Sequence, residues 1–260
     1  MAVTLLRRIF KKTSGYLRQA ALFLPQLLAL KRGGRKGVRF ALHMGDIKAC
    51  LVDATATTGF DRHYDFHCAW AARVLARTRP VEHTDISSSL YFVSGTSAFV
   101  PIRFLDYRPA NLGLCGLREE AVDIKKLPFP NGSVLSLSCM HVVEHIGLGR
   151  YGDPLDYDGD LIACAELRRV IAPGGRLLIV VPLAGQPRIA FNAHRIYAFD
   201  QVIQMFDELL LEEFFLIPDR ERDGGLVASP SAELLARQRY GCGCFLFRKP
   251  EPPIIAGADR

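Results

Sequence analysis

The first 45 residues contain no aspartate or glutamate. Ten lysines and arginines stand there, from Arg7 to Arg39, so this segment carries +10 and the remainder −4 of a net +6. That split excludes a basic face spread over the whole fold, and no nucleic-acid partner is expected. Long apolar runs are missing too. The uncharged stretch from Gln19 to Leu30 is 12 residues and contains Pro25, too short for a transmembrane helix. The cysteines form no C-x-x-C pair. Seven of them, an odd number, are scattered singly apart from Cys242-Gly-Cys244. This excludes a secreted disulfide framework and points to reduced thiols in a cytoplasmic compartment. No internal repeat is present.

What the N-terminal segment does have is helical patterning. At 100° per residue, Leu5, Leu6, Ile9, Phe10, Tyr16, Leu17, Leu24, Leu27 and Leu28 fall on one side. Arg7, Arg8, Lys11, Lys12 and Arg18 fall on the other. A basic amphipathic helix suits an anionic membrane surface, so residues 1–30 are expected to be peripheral to a membrane. A signal peptide, a transit peptide and a helix packed on its own domain are the alternatives. The expected organisation is a leader and linker (1–37, ending in "KRGGRKG"), a substrate-covering segment (38–66), a main domain (67–250) and a tail (251–260).

The main domain alternates between two periodicities. "FHCAWAARVLART", "LYFVSGTSAF", "DGDLIACAELRRVI" and "AFDQVIQMFDELL" read as helices. "VEHTDI", "PIRFLDYRP", "LREEAVDI", "SVLSLSCM", "RLLIVVPL", "EEFFLIP" and "CGCFLFRKP" read as strands. "RLLIVVPL" is apolar throughout, as a strand buried on both faces should be. The third helix is expected to be capped near Asp158 or Asp160 and stopped by Pro173-Gly174-Gly175. Such alternation predicts an α/β fold: a doubly wound, mostly parallel, seven-stranded sheet with helices on both faces.

Two stretches imitate metal sites. His141, Glu144 and His145 spell H-x-x-E-H, the spacing of an inverted zinc-protease motif. That motif needs a longer helix and a third ligand downstream, whereas Gly147 and Gly149 stop any helix at once. Asp156, Asp158 and Asp160 imitate a calcium loop, but Leu161 and Leu167 stand where such a loop needs glycine and glutamate. No metal is expected.

The stretches "VDIKKLPFPNGSVLSLSCMHVVEHI", "ELRRVIAPGGRLLIVVP" and "HRIYAFDQVIQMF" together resemble the second half of a class I S-adenosylmethionine-dependent methyltransferase. The resemblance covers residues 60–248. Within that superfamily the chain is most similar to a group of uncharacterised methyltransferase-like proteins that carry "GLGRYGDP" and "FNAHRIY". The resemblance implies a Rossmann-like fold and S-adenosylmethionine as cofactor. It implies cofactor contacts at Asp85, at Ser87 and Ser89 (where the family has the glycines of G-x-G), and at Asp106 for the ribose hydroxyls. It also implies that Asp123 takes the adenine amino group while Ile124 packs on the ring. Catalytic candidates on the same rim are His141 as base, His145, expected to orient its loop through a ring N–H, and His194. Tyr151, Asp153, Asn192 and Tyr197 lie nearby, and residues 58–67 are expected to cover the site. The function so implied is methyl transfer to a small-molecule or glycan acceptor. A non-catalytic binding domain of the same fold is the alternative.

Overall fold

The computed structural model describes residues 2–33 and 40–252, and within the first stretch the side chains of residues 15–32. Residues 34–39 of the expected linker and 253–260 of the expected tail lie outside the described residues. The chain divides into two compact units, Met1–Phe60 and Asp61–Arg260.

The first unit contains one long helix, α1 (Ala2–Gly33), with Pro25 inside it. Leu17, Leu24 and Leu28 lie within about 40° of one another on its wheel, and all three are exposed. Of the basic residues in the expected pattern, Arg18 lies among the described side chains, and those before residue 15 lie outside them. Among the described residues, no helix is long and apolar enough to cross a membrane. A short 3-10 turn, Met44–Asp46, follows.

The second unit opens with α2 (Arg62–Thr78), which starts earlier than the apolar stripe suggests. Asp61 explains the start: its carboxylate accepts the N–H groups of His63 (3.0 Å) and Tyr64 (3.2 Å) as an N-cap. Part of the expected covering segment is therefore the first turn of a core helix. Next come β1 (His83–Ile86), α3 (Leu90–Thr96), β2 (Ile102–Asp106), β3 (Leu117–Ala121) and β4 (Val134–Met140). Then follow α4 (Gly159–Val170), β5 (Ile171–Leu183), the short strands β6 (Arg188–Ala190) and β7 (His194–Ile196), and α5 (Phe199–Met205). The chain ends in β8 (Leu210–Ile217), β9 (Val227–Ala228), α6 (Ala232–Ala236) and β10 (Gly241–Arg248).

The sheet has eight strands rather than seven, in the order β3-β2-β1-β4-β5-β10-β8-β9. The extra strand is β9, a two-residue edge on β8 that is too short to show a period of two in the sequence. β6 and β7 form a separate antiparallel ribbon. Strands β1 to β5 pair in parallel, whereas β10 is antiparallel to both β5 and β8. α4 ends at Val170, before Pro173, because Ile171 already pairs with Val134. Residues 172–175 then fall in a register jump before Arg176 meets Ser136.

β5 shows how the layers form. Its side chains alternate across the sheet, with Ile179 and Val181 joining Leu167, Phe206 and Phe245 on one face. Leu178 and Val180 join Trp70, Val74, Phe92 and Phe104 on the other. Each face thus buries one set of helices, the arrangement expected of a doubly wound sheet. The strand order also fixes the site. From β1 the chain runs outward to β2 and β3, then returns to β4 on β1's other side. The connections after β1 and β4 therefore diverge at their carboxyl ends and leave a crevice.

Candidate functional site

A cavity of about 420 Å³ fills that crevice. Strands β1 to β4 each supply a wall from at or just beyond their ends. β1 gives Ile86 and Ser87, and β2 gives Asp106, Tyr107 and Arg108. The turn after β3 gives Asp123, Ile124 and Lys125, and the segment after β4 gives His141, Val142, His145 and Ile146. Tyr151, Asp153 and Pro154 close the remaining side. Two guanidinium groups, those of Arg108 and Arg150, each lie 5.1 Å from the Tyr151 ring centre.

The expected contact residues divide into two groups. Ser87, Asp106, Asp123, Ile124, His141 and His145 line this cavity, whereas Asp85, Ser89 and His194 are outside its lining. Asp85 is completely buried; its carboxylate accepts the Ser88 N–H at 3.0 Å and the Ser138 hydroxyl. It ties the end of β1 to β4. Ser89 is the N-cap residue of α3. His194 sits on β7, its ring stacked on Tyr240 at 5.2 Å and 6.2 Å from His145.

The first turn deserves its serines. Ser87 has φ +52°, the left-handed conformation that glycine adopts without strain. Its N–H donates to the Leu105 carbonyl at 2.8 Å and its hydroxyl to the same oxygen at 3.2 Å. Two bonds to β2 hold the backbone where a glycine would sit freely. Asp106, at the end of β2, accepts the Arg108 N–H at 2.6 Å with one oxygen. Asp123 accepts the Lys125 N–H at 2.9 Å, and Ile124 beside it is buried. An acid after β2 and an acid with an apolar floor after β3 suit a ribose and an adenine.

The H-x-x-E-H letters resolve into separate roles. His141 follows the last residue of β4 with φ +58°. Glu144 and His145 lie in the 3-10 turn Val143–His145. The Glu144 carboxyl meets Nδ1 of His141 at 2.8 Å. Its other oxygen, Oε2, is buried with no partner among the described residues. Nδ1 of His145 bonds the Ala193 carbonyl at 2.6 Å. Because a carbonyl can only accept, Nδ1 carries the proton and Nε2 keeps a lone pair. Burial pulls His141 down to about 4, and burial also lowers His145 despite the opposing Glu144 charge. Both imidazoles are neutral near pH 7. Burial pushes Glu144 up to about 7.

The acidic loop after this turn is a scaffold. Gly147 has φ +79°, and a Cβ there would come within 2.1 Å of the Asp156 carbonyl oxygen. Its N–H donates to Asp153 at 2.7 Å. Arg195 ties the loop down, donating to the carbonyls of Ile146 (2.6 Å) and Tyr157 (2.7 Å). Tyr197 donates its hydroxyl to Asp160 at 2.9 Å. Asp153, Asp156, Asp160 and Tyr197 are thereby engaged within the protein.

Four residues stand around His141: His63, Tyr64 and His67, which belong to the stretch 58–67 expected to cover the site, and Cys242, which the sequence reading left unassigned. The rings of His67 and Tyr64 lie 5.1 and 5.4 Å from it, and that of His63 5.9 Å in parallel. Cys242 on β10 puts its sulfur 3.5 Å from the His141 Nε2. The Asp61 cap followed by H-Y-x-x-H was the available signal for the first three. Nothing local marks Cys242.

Comparison with known proteins bears on the fold. A family model described as "Caenorhabditis protein of unknown function, DUF268" matches residues 134–211, from β4 into β8. No curated protein matches the chain. Among solved structures, the chain is similar to the Burkholderia thailandensis 1,6-didemethyltoxoflavin-N1-methyltransferase with bound S-adenosylhomocysteine and 1,6-didemethyltoxoflavin. Identity is 13%, coverage 71% of this chain and 79% of that one, and the TM-score 0.52. The N-methyltransferase NodS from Bradyrhizobium japonicum WM9 matches at 13% identity and TM-score 0.50, over 72% and 97% of the two chains. The [4+2]-cyclase SpnF matches at 14% identity and TM-score 0.50, over 71% and 81%. At these identities the likeness concerns the fold alone, a Rossmann-like α/β fold shared with these two methyltransferases and the cyclase.

Proposed function

We propose that this chain is an S-adenosylmethionine-dependent methyltransferase acting on a small, polar acceptor. The observation that carries the reading is the cavity at the divergence of β1 and β4, walled by Asp106, Asp123 and Ile124. Its volume lies in the usual range for small-ligand sites. When bound, S-adenosylmethionine supplies a methyl carbon made electrophilic by its sulfonium. Asp106 would accept the ribose hydroxyls, Asp123 the adenine amino group, and Ile124 would pack on the ring. Ser87 holds the first turn open for close approach of the backbone.

We assign the base to His145 rather than to His141, whose two ring nitrogens face Glu144 and Cys242. The Nδ1–H of His145 is fixed on Ala193, so Nε2 is free to take the proton of an attacking hydroxyl or amine. Tyr151 and His194 stand beside His145, with Tyr240 stacked on His194, and these flat, half-polar surfaces suit an acceptor with sugar-like or heteroaromatic faces. Exposed Leu17, Leu24 and Leu28 on α1, with Arg18, Lys31 and Arg32, support a peripheral membrane location for the enzyme.

The test is ligand-induced stabilisation. S-adenosylhomocysteine at 100 times its dissociation constant should add about 2.7 kcal/mol to stability. For a unit of this size that raises the melting temperature by several degrees. A chain that ignores millimolar S-adenosylhomocysteine would instead be a binding domain that keeps the fold without the cofactor. SpnF illustrates that this fold also carries chemistry other than methyl transfer.

A further inference from the structure

We propose that His63, His141 and Cys242 form a mononuclear site for a borderline or soft divalent ion, zinc foremost. One ring nitrogen from each histidine and the cysteine sulfur all lie within 4.8 Å of one another. The three come from distant parts of the sequence: the first turn of α2, the residue after β4, and the second residue of β10. The H-x-x-E-H spacing suggests His145 as the partner of His141, and no metal is expected from it because no longer helix and no third ligand follow. In the fold His145 is held by Ala193, and the partners come from elsewhere.

One ligand pair already has the spacing that a tetrahedral ion requires. The measured His141 Nε2 to Cys242 Sγ distance is 3.5 Å. Zinc bonds of about 2.05 Å to nitrogen and 2.3 Å to sulfur, at a tetrahedral angle, place those atoms about 3.6 Å apart. The surroundings also fit. Metal-bound imidazoles usually donate their other N–H to a carboxylate or carbonyl. Glu144 meets Nδ1 of His141 at 2.8 Å from a fully buried position. His141 is held at φ +58° by its own N–H, which donates to the Val180 carbonyl at 2.8 Å. A left-handed histidine is strained, and strain of this kind concentrates at functional sites.

His67 is not a fourth ligand as it stands. Its Nδ1 bonds the His63 carbonyl at 2.6 Å, and its Nε2 faces Cys68. Three protein donors leave one position for water or another small donor, the pattern of zinc sites that act on a ligand. His141 also lines the cavity described above, so the ion would sit at that cavity's edge. Ion binding does not depend on the methyl-transfer reading and is measured without cofactor.

Cobalt is the probe. The full chain, stripped with a chelator, should bind one Co²⁺ per chain. It should then show a thiolate-to-cobalt charge-transfer band in the near ultraviolet and the intense visible bands of a tetrahedral ion. Zinc should displace both. Cys242→Ser should abolish the charge-transfer band, His63→Ala should weaken binding at least 100-fold, and Glu144→Gln about 10- to 100-fold. His63 is only partly buried on the first turn of α2, so its variant keeps the test open if Cys242→Ser does not fold. Cys50 and Cys115 are exposed thiols. A band that survives Cys242→Ser would come from them and overturn the proposal. Absence of any band in the unmodified chain, or unchanged affinity in His63→Ala, would overturn it equally, leaving an S–H to imidazole hydrogen bond.

Discussion

His83 and Asp85 are opposed charges-in-waiting inside the sheet. His83 is fully buried and bonds Ser136 at 2.7 Å and Ser138 at 2.8 Å, and Ser138 in turn donates to Asp85. Burial lowers the imidazole from 6.5 to about 3 and raises the carboxyl from 3.8 to about 6. Linkage gives the two groups opposite signs. As pH falls from 6.5 towards 3, the unfolded chain takes up a proton that folded His83 refuses, so stability is lost. As pH rises from 3.8 towards 6, the unfolded chain releases a proton that folded Asp85 keeps, so stability is again lost. Between about pH 4 and 6 the slopes oppose, each at most about 1.4 kcal/mol per pH unit. Asp85→Asn should therefore make stability fall more steeply on acidification than in the parent chain. His83→Gln should flatten or reverse that fall. Urea unfolding of the three proteins across this window is the measurement, and three parallel curves would refute the assignment. Other buried histidines are common to all three and cancel in the comparison.

At the scale of elements, the turn after β1 is where this chain departs from the glycine pattern that the resemblance implies. The left-handed turn is nevertheless present, with Ser87 in glycine's conformation. Ser87→Gly loses the hydroxyl bond to Leu105 and relieves about 1 kcal/mol of strain, so stability should change by less than about 1 kcal/mol. S-adenosylhomocysteine should then bind as well or a few-fold tighter. Ser87→Val puts a branched side chain at φ +52° and should cost about 1–2 kcal/mol or more, with weaker binding. Melting curves and titrations of both variants decide it, and a neutral valine would contradict the role given to this turn. Elements with a long period were legible in the sequence: β5 by its unbroken apolar run, α4 by its stripe, β10 by its position. Others were hidden for physical reasons. β9 has two residues, and α2 begins with a cap that precedes its apolar stripe by one turn. The end of α4 was set by the pairing of Ile171 with Val134 rather than by Pro173.

At the scale of the whole chain, the two units invite separate tests. α1 presents Leu17, Leu24 and Leu28 to solvent, at 66%, 59% and 43% exposure, although burying such side chains is worth about 1.5–3 kcal/mol each. If an anionic membrane covers them, sedimentation with anionic vesicles should fall as salt rises, because the Debye length shrinks from about 10 Å at 0.1 M to about 3 Å at 1 M. Replacing the three leucines by serine should release the protein, and sedimentation that ignores both changes would argue against a membrane. The cavity lining was readable because its residues stand at or after strand ends in chain order: Asp106 at the end of β2, Asp123 and Ile124 after β3, His141 after β4. His63, His67 and Cys242 were not, since only tertiary packing brings α2 and β10 against the end of β4. The central claim remains cofactor binding in that crevice, and calorimetric titration with S-adenosylhomocysteine tests it most directly. The account predicts one site per chain, and a loss of about 10- to 100-fold in affinity for Asp106→Ala, the worth of hydrogen bonds to a carboxylate. No heat of binding at millimolar ligand, or equal affinity in the two proteins, would contradict it.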